Sequence, residues 1–251
     1  MEEGADISEE VQNNRAGSRK SLYIVLVAFF AILIVLGIFL YFKSPTLPSE
    51  GLNCKTILSN GEPDGKIDIV FFFNGVSEKE ADDYISYIDE VEPFKANKDK
   101  FNFYSVNYNP SCNIQNGILI CYSRELMQAS SVCPNDYVIV LTRQSASIRS
   151  SAYTNLMSLN VASQKSVLIH EFGHVFANLA DEYVPSTIPR GSKNCVSSCD
   201  SFKSGNQGCF KGCSKDSYYR PVETGVMRTL STSNYGAFDE KIVQENLAKY
   251  V

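Results

Sequence analysis

The sequence predicts an α/β domain preceded by a single transmembrane helix. Short apolar runs typical of buried strands alternate with helical patterns, which indicates the α/β class, and a long uncharged apolar stretch near the N-terminus indicates the membrane helix. The chain has 251 residues, of which 44% are hydrophobic, so disordered and collagen-like chains are excluded. Its formal net charge of −5 leaves no basic surplus to neutralise phosphates, and we expect no nucleic-acid partner.

The apolar stretch Leu22 to Phe42 is long enough to cross a bilayer. As a helix it would be about 32 Å long, against a hydrocarbon core of about 30 Å. It is longer than the apolar part of a signal peptide and no small-residue cleavage site follows it, so we expect a retained anchor rather than a cleaved signal or a buried core helix. Arg15, Arg19 and Lys20 precede the stretch and Lys43 follows it, which predicts a cytoplasmic N-terminus.

This topology divides the chain into four parts. We expect a cytoplasmic tail at 1–21, a transmembrane helix at 22–42, a short linker at 43–53 and an extracytoplasmic domain at 54–251. The chain is therefore predicted to be a single-pass protein of the cell membrane whose large domain lies outside.

Within the large domain, strand and helix patterns follow one another. The apolar run at 66–73 ends at Asn74-Gly75, and Ser77 with Glu80 forms a capping box that begins a helix. The predicted elements are, in order, a strand at 66–73, a helix from this box to about 91, strands at 101–108 and 137–142, an edge strand at 151–159, a helix at 163–178, a loop-rich insertion at about 184–219 and a closing helix at 239–250.

All eight cysteines follow the predicted span, at positions 54, 112, 121, 133, 195, 199, 209 and 213. Disulfides persist outside the cell, so the number of cysteines agrees with the topology. The last four have the spacing C-x3-C-x9-C-x3-C, which would suit two helical turns stapled by disulfides from Cys195 to Cys213 and from Cys199 to Cys209. Other pairings remain open, and the alternative for this group is a structural zinc site with four cysteine ligands.

The chain contains only two histidines, and they lie four residues apart in the segment His-Glu-Phe-Gly-His. On a helix, His170 and His174 share one face and could bind one metal ion, with Glu171 close enough to reach a water on that ion. Zinc lowers the pKa of such a water, and Glu171 could accept its proton as general base. The spacing predicts a Zn²⁺-dependent hydrolase, the alternative being a surface helix that carries these residues by chance.

A catalytic zinc needs a third protein ligand, and no further histidine is present. Asp181 and Glu182 are the nearest carboxylates. In a straight helix Asp181 would lie about 10 Å beyond His174, so the chain must turn, and Asn178 is a suitable left-handed helix end. We favour Asp181 and keep Glu182 as second choice; either could instead cap the helix or orient a ligand histidine.

The segment HEFGHVFANLADEY at 170–183 resembles the active-site segment of the IgA-peptidase family of metallopeptidases, whose members resemble metzincins. IDIVFFFNG at 67–75, EPFKANKDKFNFYSVN at 92–107 and YYRPVETGVMR at 218–228 fit the same family in the same order, so the resemblance covers roughly residues 60–251. It implies a metzincin-like zinc peptidase domain with a mixed sheet and an active-site helix. It also implies these roles: zinc ligation by His170, His174 and Asp181, general-base catalysis by Glu171, and a Met-turn under the metal at Met227.

Together these patterns predict a membrane-anchored, extracytoplasmic zinc metalloendopeptidase that acts on protein or peptide substrates. One alternative is a non-catalytic surface binding module that retains the fold, and another is a metal-dependent cell-wall amidase. Glu171 favours an enzyme, because a module that only binds zinc needs no base beside the metal-bound water.

Overall fold

The computed structural model describes residues 23–38, 51–202 and 208–251. Residues 23–38 form a helix whose side chains are all exposed, and they belong to a unit separate from the chain that begins at residue 51. No helix in the described ranges is both long and apolar enough to cross a membrane. The predicted transmembrane helix at 22–42 therefore has no support from the structure. Residue 22 and residues 39–42 of that span, the predicted tail at 1–21 and positions 43–50 of the linker lie outside the described residues.

The larger unit contains ten strands and four helices in its described part. The strands are β1 Cys54–Leu58, β2 Ile67–Asn74, β3 Phe101–Val106, β4 Asn113–Gln115, β5 Ile118–Ile120, β6 Tyr137–Thr142, β7 Ser151–Tyr153, β8 Leu156–Asn160, β9 Phe210–Cys213 and β10 Lys215–Arg220. With residues 23–38 as α1, the helices that follow are α2 Lys79–Glu90, α3 Arg124–Ser130, α4 Ser166–Ala177 and α5 Ala237–Leu247.

Six of these strands form a mixed sheet in the order β1-β3-β2-β6-β8-β7. The three inner pairings are parallel, whereas β1 and β7 pair antiparallel at the two edges. The remaining strands form two small antiparallel hairpins, β4 with β5 and β9 with β10. The predicted α/β class and the mixed sheet are confirmed.

The apolar run in β2 is buried on both faces of the sheet. Ile69 and Phe71 pack into a core layer that includes α2, α4 and α5, while Val70 and Phe72 pack into a second layer with α3. Burial of each side chain of this size contributes about 1.5–3 kcal/mol to the stability of the fold, so these two layers stabilise the sheet on both faces. The first layer also holds Phe172 of α4, so the helix that carries the two histidines lies directly on the sheet.

The predicted edge strand at 151–159 is two strands. Thr154 adopts a left-handed backbone conformation with φ of 53°, and the chain reverses there between β7 and β8. β8 is fully buried inside the sheet, and only β7 is the edge. The sequence pattern therefore predicted one strand where the structure has two strands joined by a tight turn.

Four disulfides connect the described residues: Cys54–Cys133, Cys112–Cys121, Cys195–Cys213 and Cys199–Cys209. The last two are the pairs that the spacing suggested, and the alternative four-cysteine zinc site is wrong because these sulfurs are bonded to each other. The expected helical turns are also wrong: the insertion contains a short 3₁₀ turn at Cys199–Phe202 followed by the hairpin β9–β10. Gly212 and Ser214 have positive φ, which reverses the chain where helices were expected. Residues 203–207 of the insertion lie outside the described ranges.

Candidate metal and active site

The helix α4 ends where the sequence predicted a turn. Asn178 has φ of 52° and ψ of 35°, the left-handed conformation that commonly follows a helix. The Asn178 amide donates to the His174 carbonyl at 3.1 Å, and the Leu179 amide donates to the Gly173 carbonyl at 3.1 Å. These bonds satisfy carbonyls at the helix end and redirect the chain, so that Asp181 returns toward the two histidines.

Three potential ligand atoms converge next to this turn. Asp181 Oδ1 lies 3.1 Å from His170 Nε2 and 3.2 Å from His174 Nε2. The two Nε2 atoms are themselves 3.2 Å apart. Among the described residues, His170, His174 and Asp181 form the one such group that could hold a metal ion. Glu182 does not belong to this cluster.

The hydrogen bonds of the two imidazoles show which of their nitrogens face the cluster as electron-pair donors. His170 Nδ1 lies 2.8 Å from the Val226 carbonyl oxygen and His174 Nδ1 lies 2.7 Å from the Leu179 carbonyl oxygen. Since a carbonyl oxygen only accepts, each Nδ1 carries a proton, and each Nε2 faces the Asp181 carboxylate. When both rings are neutral, each Nε2 presents a lone pair within 3.2 Å of the buried Oδ1 of Asp181. Two lone pairs and a carboxylate oxygen repel one another unless a cation lies between them, so this donor set fits a zinc ion.

The loop that carries Asp181 is fixed by side chains from the disulfide-linked insertion. Asn194 Oδ1 accepts from the Ala180 amide at 2.8 Å, and Asn194 Nδ2 donates to the Ala180 carbonyl at 2.9 Å. Ser186 Oγ donates to Asp181 Oδ2 at 2.6 Å, and Ser214 Oγ donates to the Asp181 carbonyl at 2.6 Å. Oδ2 is therefore occupied by a donor, which leaves Oδ1 as the atom that faces the histidines.

Glu182 lies in a separate buried carboxyl pair with Asp239. Asn194 Nδ2 is 3.4 Å from Glu182 Oε1 and 3.4 Å from Asp239 Oδ2. Burial raises the pKa of Glu182 to about 7, against the opposing hydrogen bond from Asn194, and burial with the charge of Glu182 raises the pKa of Asp239 well above its ordinary value. Glu182 thus supports the loop, and the geometry favours Asp181 over it as third ligand.

Glu171 lies next to the ligand cluster with its carboxylate free of partners. No hydrogen bond or ion pair holds this carboxylate among the described residues, and the residue is 6% exposed at the floor of a cleft. Burial raises the pKa of Glu171, while the charges of His170 and His174 oppose this shift. A free carboxylate with a raised pKa can accept a proton from water near neutral pH.

Residues 107–197 match the family model of the IgA Peptidase M64 family. The predicted resemblance to the IgA-peptidase family is confirmed over this segment. No curated protein matches the chain. The match contains α4 with both histidines, Glu171 and Asp181, and it supports a peptidase that belongs to the hydrolases.

Met227 lies outside the segment that matches the IgA-peptidase family, yet it packs directly beneath α4. A Cβ atom at Gly173 would lie 2.7 Å from Met227 Sδ and 3.0 Å from the Tyr235 ring, so only glycine fits there without a shift. The Met227 carbonyl accepts from the Glu182 amide at 2.8 Å. The turn at Met227 therefore supports both the histidine helix and the Asp181 loop from below.

The cleft above this site has a volume of about 660 Å³. Its lining includes the cluster itself and two residues that sequence reasoning did not single out, Tyr183 and Arg149. The Tyr183 ring is stacked on His170 with their centroids 6.4 Å apart. Burial raises the pKa of Tyr183 to about 12, so its hydroxyl is a proton donor at neutral pH. Tyr183 stands within the family-like segment 170–183, whereas no sequence signal marked Arg149.

Proposed function

We propose that this chain is a zinc metallopeptidase that hydrolyses internal peptide bonds of protein or peptide substrates. The observation that carries the proposal is the convergence of His170, His174 and Asp181 on one point beside the unpartnered carboxylate of Glu171. The family match over the same residues supports a peptidase. A cleft of about 660 Å³ gives a substrate access to the site.

In this proposal His170, His174 and Asp181 would hold the zinc ion. Bound zinc would supply a water of lowered pKa and would polarise the carbonyl group of the scissile bond. Glu171 accepts the proton of the attacking water and then donates it to the leaving amine nitrogen. The carbonyls of Val226 and Leu179 hold the two imidazoles in the orientation that ligation requires, and Ser186 orients the Asp181 carboxylate.

We further propose that residues 22–42 anchor the chain in the cell membrane and that the catalytic domain lies outside. The described part of this stretch, residues 23–38, is helical, and its apolar side chains are exposed, for instance Ile24 at 68% and Val35 at 65%. Four disulfides are typical of a domain in an oxidising environment. In intact cells, an externally added protease should degrade the domain of the full chain but leave a cytoplasmic marker protein intact. Protection of the domain would contradict the proposed topology.

The peptidase proposal is tested on the full chain purified with its disulfides formed. Zinc content and cleavage of an unfolded protein are measured for the unmodified chain, for Glu171→Gln and for Glu90→Gln, which removes an exposed carboxylate far along the chain. We expect Glu171→Gln to retain zinc and to lose at least about 100-fold in rate, because a general base contributes about 10²–10⁴. The control should keep full activity.

Three results would contradict this proposal. Zinc binding without hydrolysis by the unmodified chain would favour the surface binding module. Cleavage of peptidoglycan fragments but not of protein would favour the cell-wall amidase. Full hydrolysis by the zinc-loaded Glu171→Gln variant would exclude the assigned base.

A further inference from the structure

The cleft beside the proposed metal site contains a positive charge that forms no ion pair with an acidic side chain in the described ranges. Arg149 is exposed at this cleft, and among the described residues its guanidinium takes part in no hydrogen bond or ion pair. Arg143, six positions earlier, differs: its guanidinium forms an ion pair with Glu80 at 2.5 Å. Arg149 thus has its full hydrogen-bonding capacity available for a ligand.

The backbone of Arg149 is fixed by a disulfide-closed hairpin. Its amide donates to the Gly117 carbonyl at 2.9 Å, and its carbonyl accepts from the Leu119 amide at 2.9 Å. These bonds attach it to the turn and second strand of the hairpin β4–β5, whose ends are joined by the bond Cys112–Cys121. A guanidinium held on an ordered backbone loses less entropy when it binds a planar anion.

Few other residues of the cleft lining could form an ion pair with this guanidinium. Small neutral residues make up a large part of the cleft lining: Ala146, Ser150, Ser151, Ala152, Ser163 and Thr187. The acidic lining residues are Glu171 and Asp181, which the proposed mechanism already employs. A second cation, Arg228, also lines the cleft; one of its donors, Nη1, already binds the Glu223 carbonyl at 2.5 Å, whereas no guanidinium donor of Arg149 is used within the described part of the chain.

The charge of Arg149 lies in the cleft itself, in a chain of net charge −5. The guanidinium is close enough to Glu171 and Tyr183 for its charge to act on both. A substrate bound across the cleft would therefore pass Arg149 near the scissile bond.

We propose that Arg149 is a specificity-determining residue that selects substrates with a carboxylate close to the scissile bond. The inference rests on the proposed peptidase function. The carboxylate could come from an aspartate or glutamate side chain or from the C-terminus of a short peptide, and both would pair with the planar guanidinium through two parallel hydrogen bonds.

The test measures binding separately from hydrolysis. Zinc-loaded full chain with Glu171→Gln is titrated with fluorescent peptides in which one glutamate, or glutamine as the isosteric control, is moved through each position. Every peptide is made with a free and with an amidated C-terminus, which distinguishes the two sources of the carboxylate. We expect the best acidic peptide to bind about fivefold more tightly than its neutral partner, since exposed ion pairs contribute up to about 1 kcal/mol.

Variants at position 149 then test whether Arg149 causes the preference for acidic peptides. Arg149→Ala should remove this preference, and Arg149→Lys should retain part of it. Arg149→Glu should instead favour peptides that carry lysine. Arg143→Ala removes the same charge outside the cleft and should leave the preference unchanged. Because the pair is partly exposed to solvent, the preference should also decrease with added salt.

Three outcomes would overturn the inference: equal binding of acidic and neutral peptides, no binding of either, and an acidic preference that survives Arg149→Ala. Arg149 could instead act only through its charge on Glu171, and that role would affect acidic and neutral peptides equally. In the chain that retains Glu171, Arg149→Ala must therefore lower kcat/KM for acidic peptides more than for neutral ones. If the acidic preference in binding is present but the unmodified chain hydrolyses nothing, the peptidase proposal fails while Arg149 keeps its assigned role.

Discussion

Replacing Asp181 by asparagine should remove most of the metal affinity. The substitution keeps the shape of the side chain but removes the single negative charge among the three donor atoms that lie within 3.2 Å of one another. Groups that only orient a ligand change metal affinity by about 10–100-fold. Loss of the ligand charge itself should therefore raise the zinc Kd by at least about 100-fold, or about 3 kcal/mol.

The metal-free protein provides a second, independent measure of the same interaction. Burial lowers the pKa of His174, but the hydrogen bond and charge of Asp181 more than offset this and raise it to about 9. Without the aspartate charge, the pKa of His174 should fall toward its ordinary value of 6.5. Protons compete with zinc for this imidazole, so zinc affinity of the unmodified chain should increase as the pH rises toward about 9.

The assay is competition for zinc with a chromophoric chelator, combined with NMR titration of the two histidines in the metal-free chain. Glu182→Gln is the matched control, because it removes the neighbouring carboxylate, which lies outside the cluster. We expect it to change the zinc Kd by less than about tenfold. The reasoning is refuted if Asp181→Asn binds zinc as tightly as the unmodified chain, or if Glu182→Gln is the variant that loses zinc.

Three further predictions concern the support of the site, and each is measured by denaturant unfolding of the zinc-free chain. Gly173→Ala should lower the free energy of unfolding, since overpacking against Met227 costs about 1–3 kcal/mol and exceeds the helix gain of about 1 kcal/mol. The same substitution should cost less in a chain that already carries Met227→Ala, and an equal cost of Gly173→Ala in both backgrounds would contradict the contact. Burial raises the pKa of Glu182 to about 7 and also raises that of Asp239, so the free energy of unfolding should fall as the pH rises from about 4.5 through about 7. Asp239→Asn should flatten this dependence, and an unchanged slope would contradict the coupling. Asn178→Ala should lower the free energy of unfolding by about 1 kcal/mol more than Asn178→Gly, because the alanine side chain is strained at φ of 52° and glycine is not. Equal stability of the two variants would show that the left-handed turn is not the cause.

Much of the layout was accessible from the sequence because it is encoded locally. The apolar run of β2 and the helix with two histidines are short patterns of the expected period, and the strand Tyr137–Thr142 has the predicted bounds. That the sheet is mixed was implied only by the family resemblance, and the order of its strands was not predicted. The hairpin β4–β5 escaped prediction because its strands have three residues each, which is too short for a periodic signal.

The candidate site also combines features that the local sequence predicts with features that depend on distant residues. The spacing of His170 and His174 and the turn at Asn178 follow from helix geometry, and they narrowed the third ligand to two neighbouring carboxylates. The choice between Asp181 and Glu182 depends on Asn194 and Asp239, which reach the loop from distant positions. Arg149 has no local signal at all, since its position comes from pairing with a hairpin some 30 residues earlier.

The protons on His170 and His174 are directed by main-chain carbonyls, those of Val226 and Leu179, and not by other side chains. A backbone oxygen is present whatever side chain its residue carries, so no single substitution can delete either partner. A deep mutational scan should therefore find that positions 226 and 179 respond mainly to side-chain size and not to loss of a hydrogen-bonding group. The orientation of the imidazoles is in this sense robust to mutation, and natural drift or directed evolution could alter the cleft without first losing the geometry of the ligands.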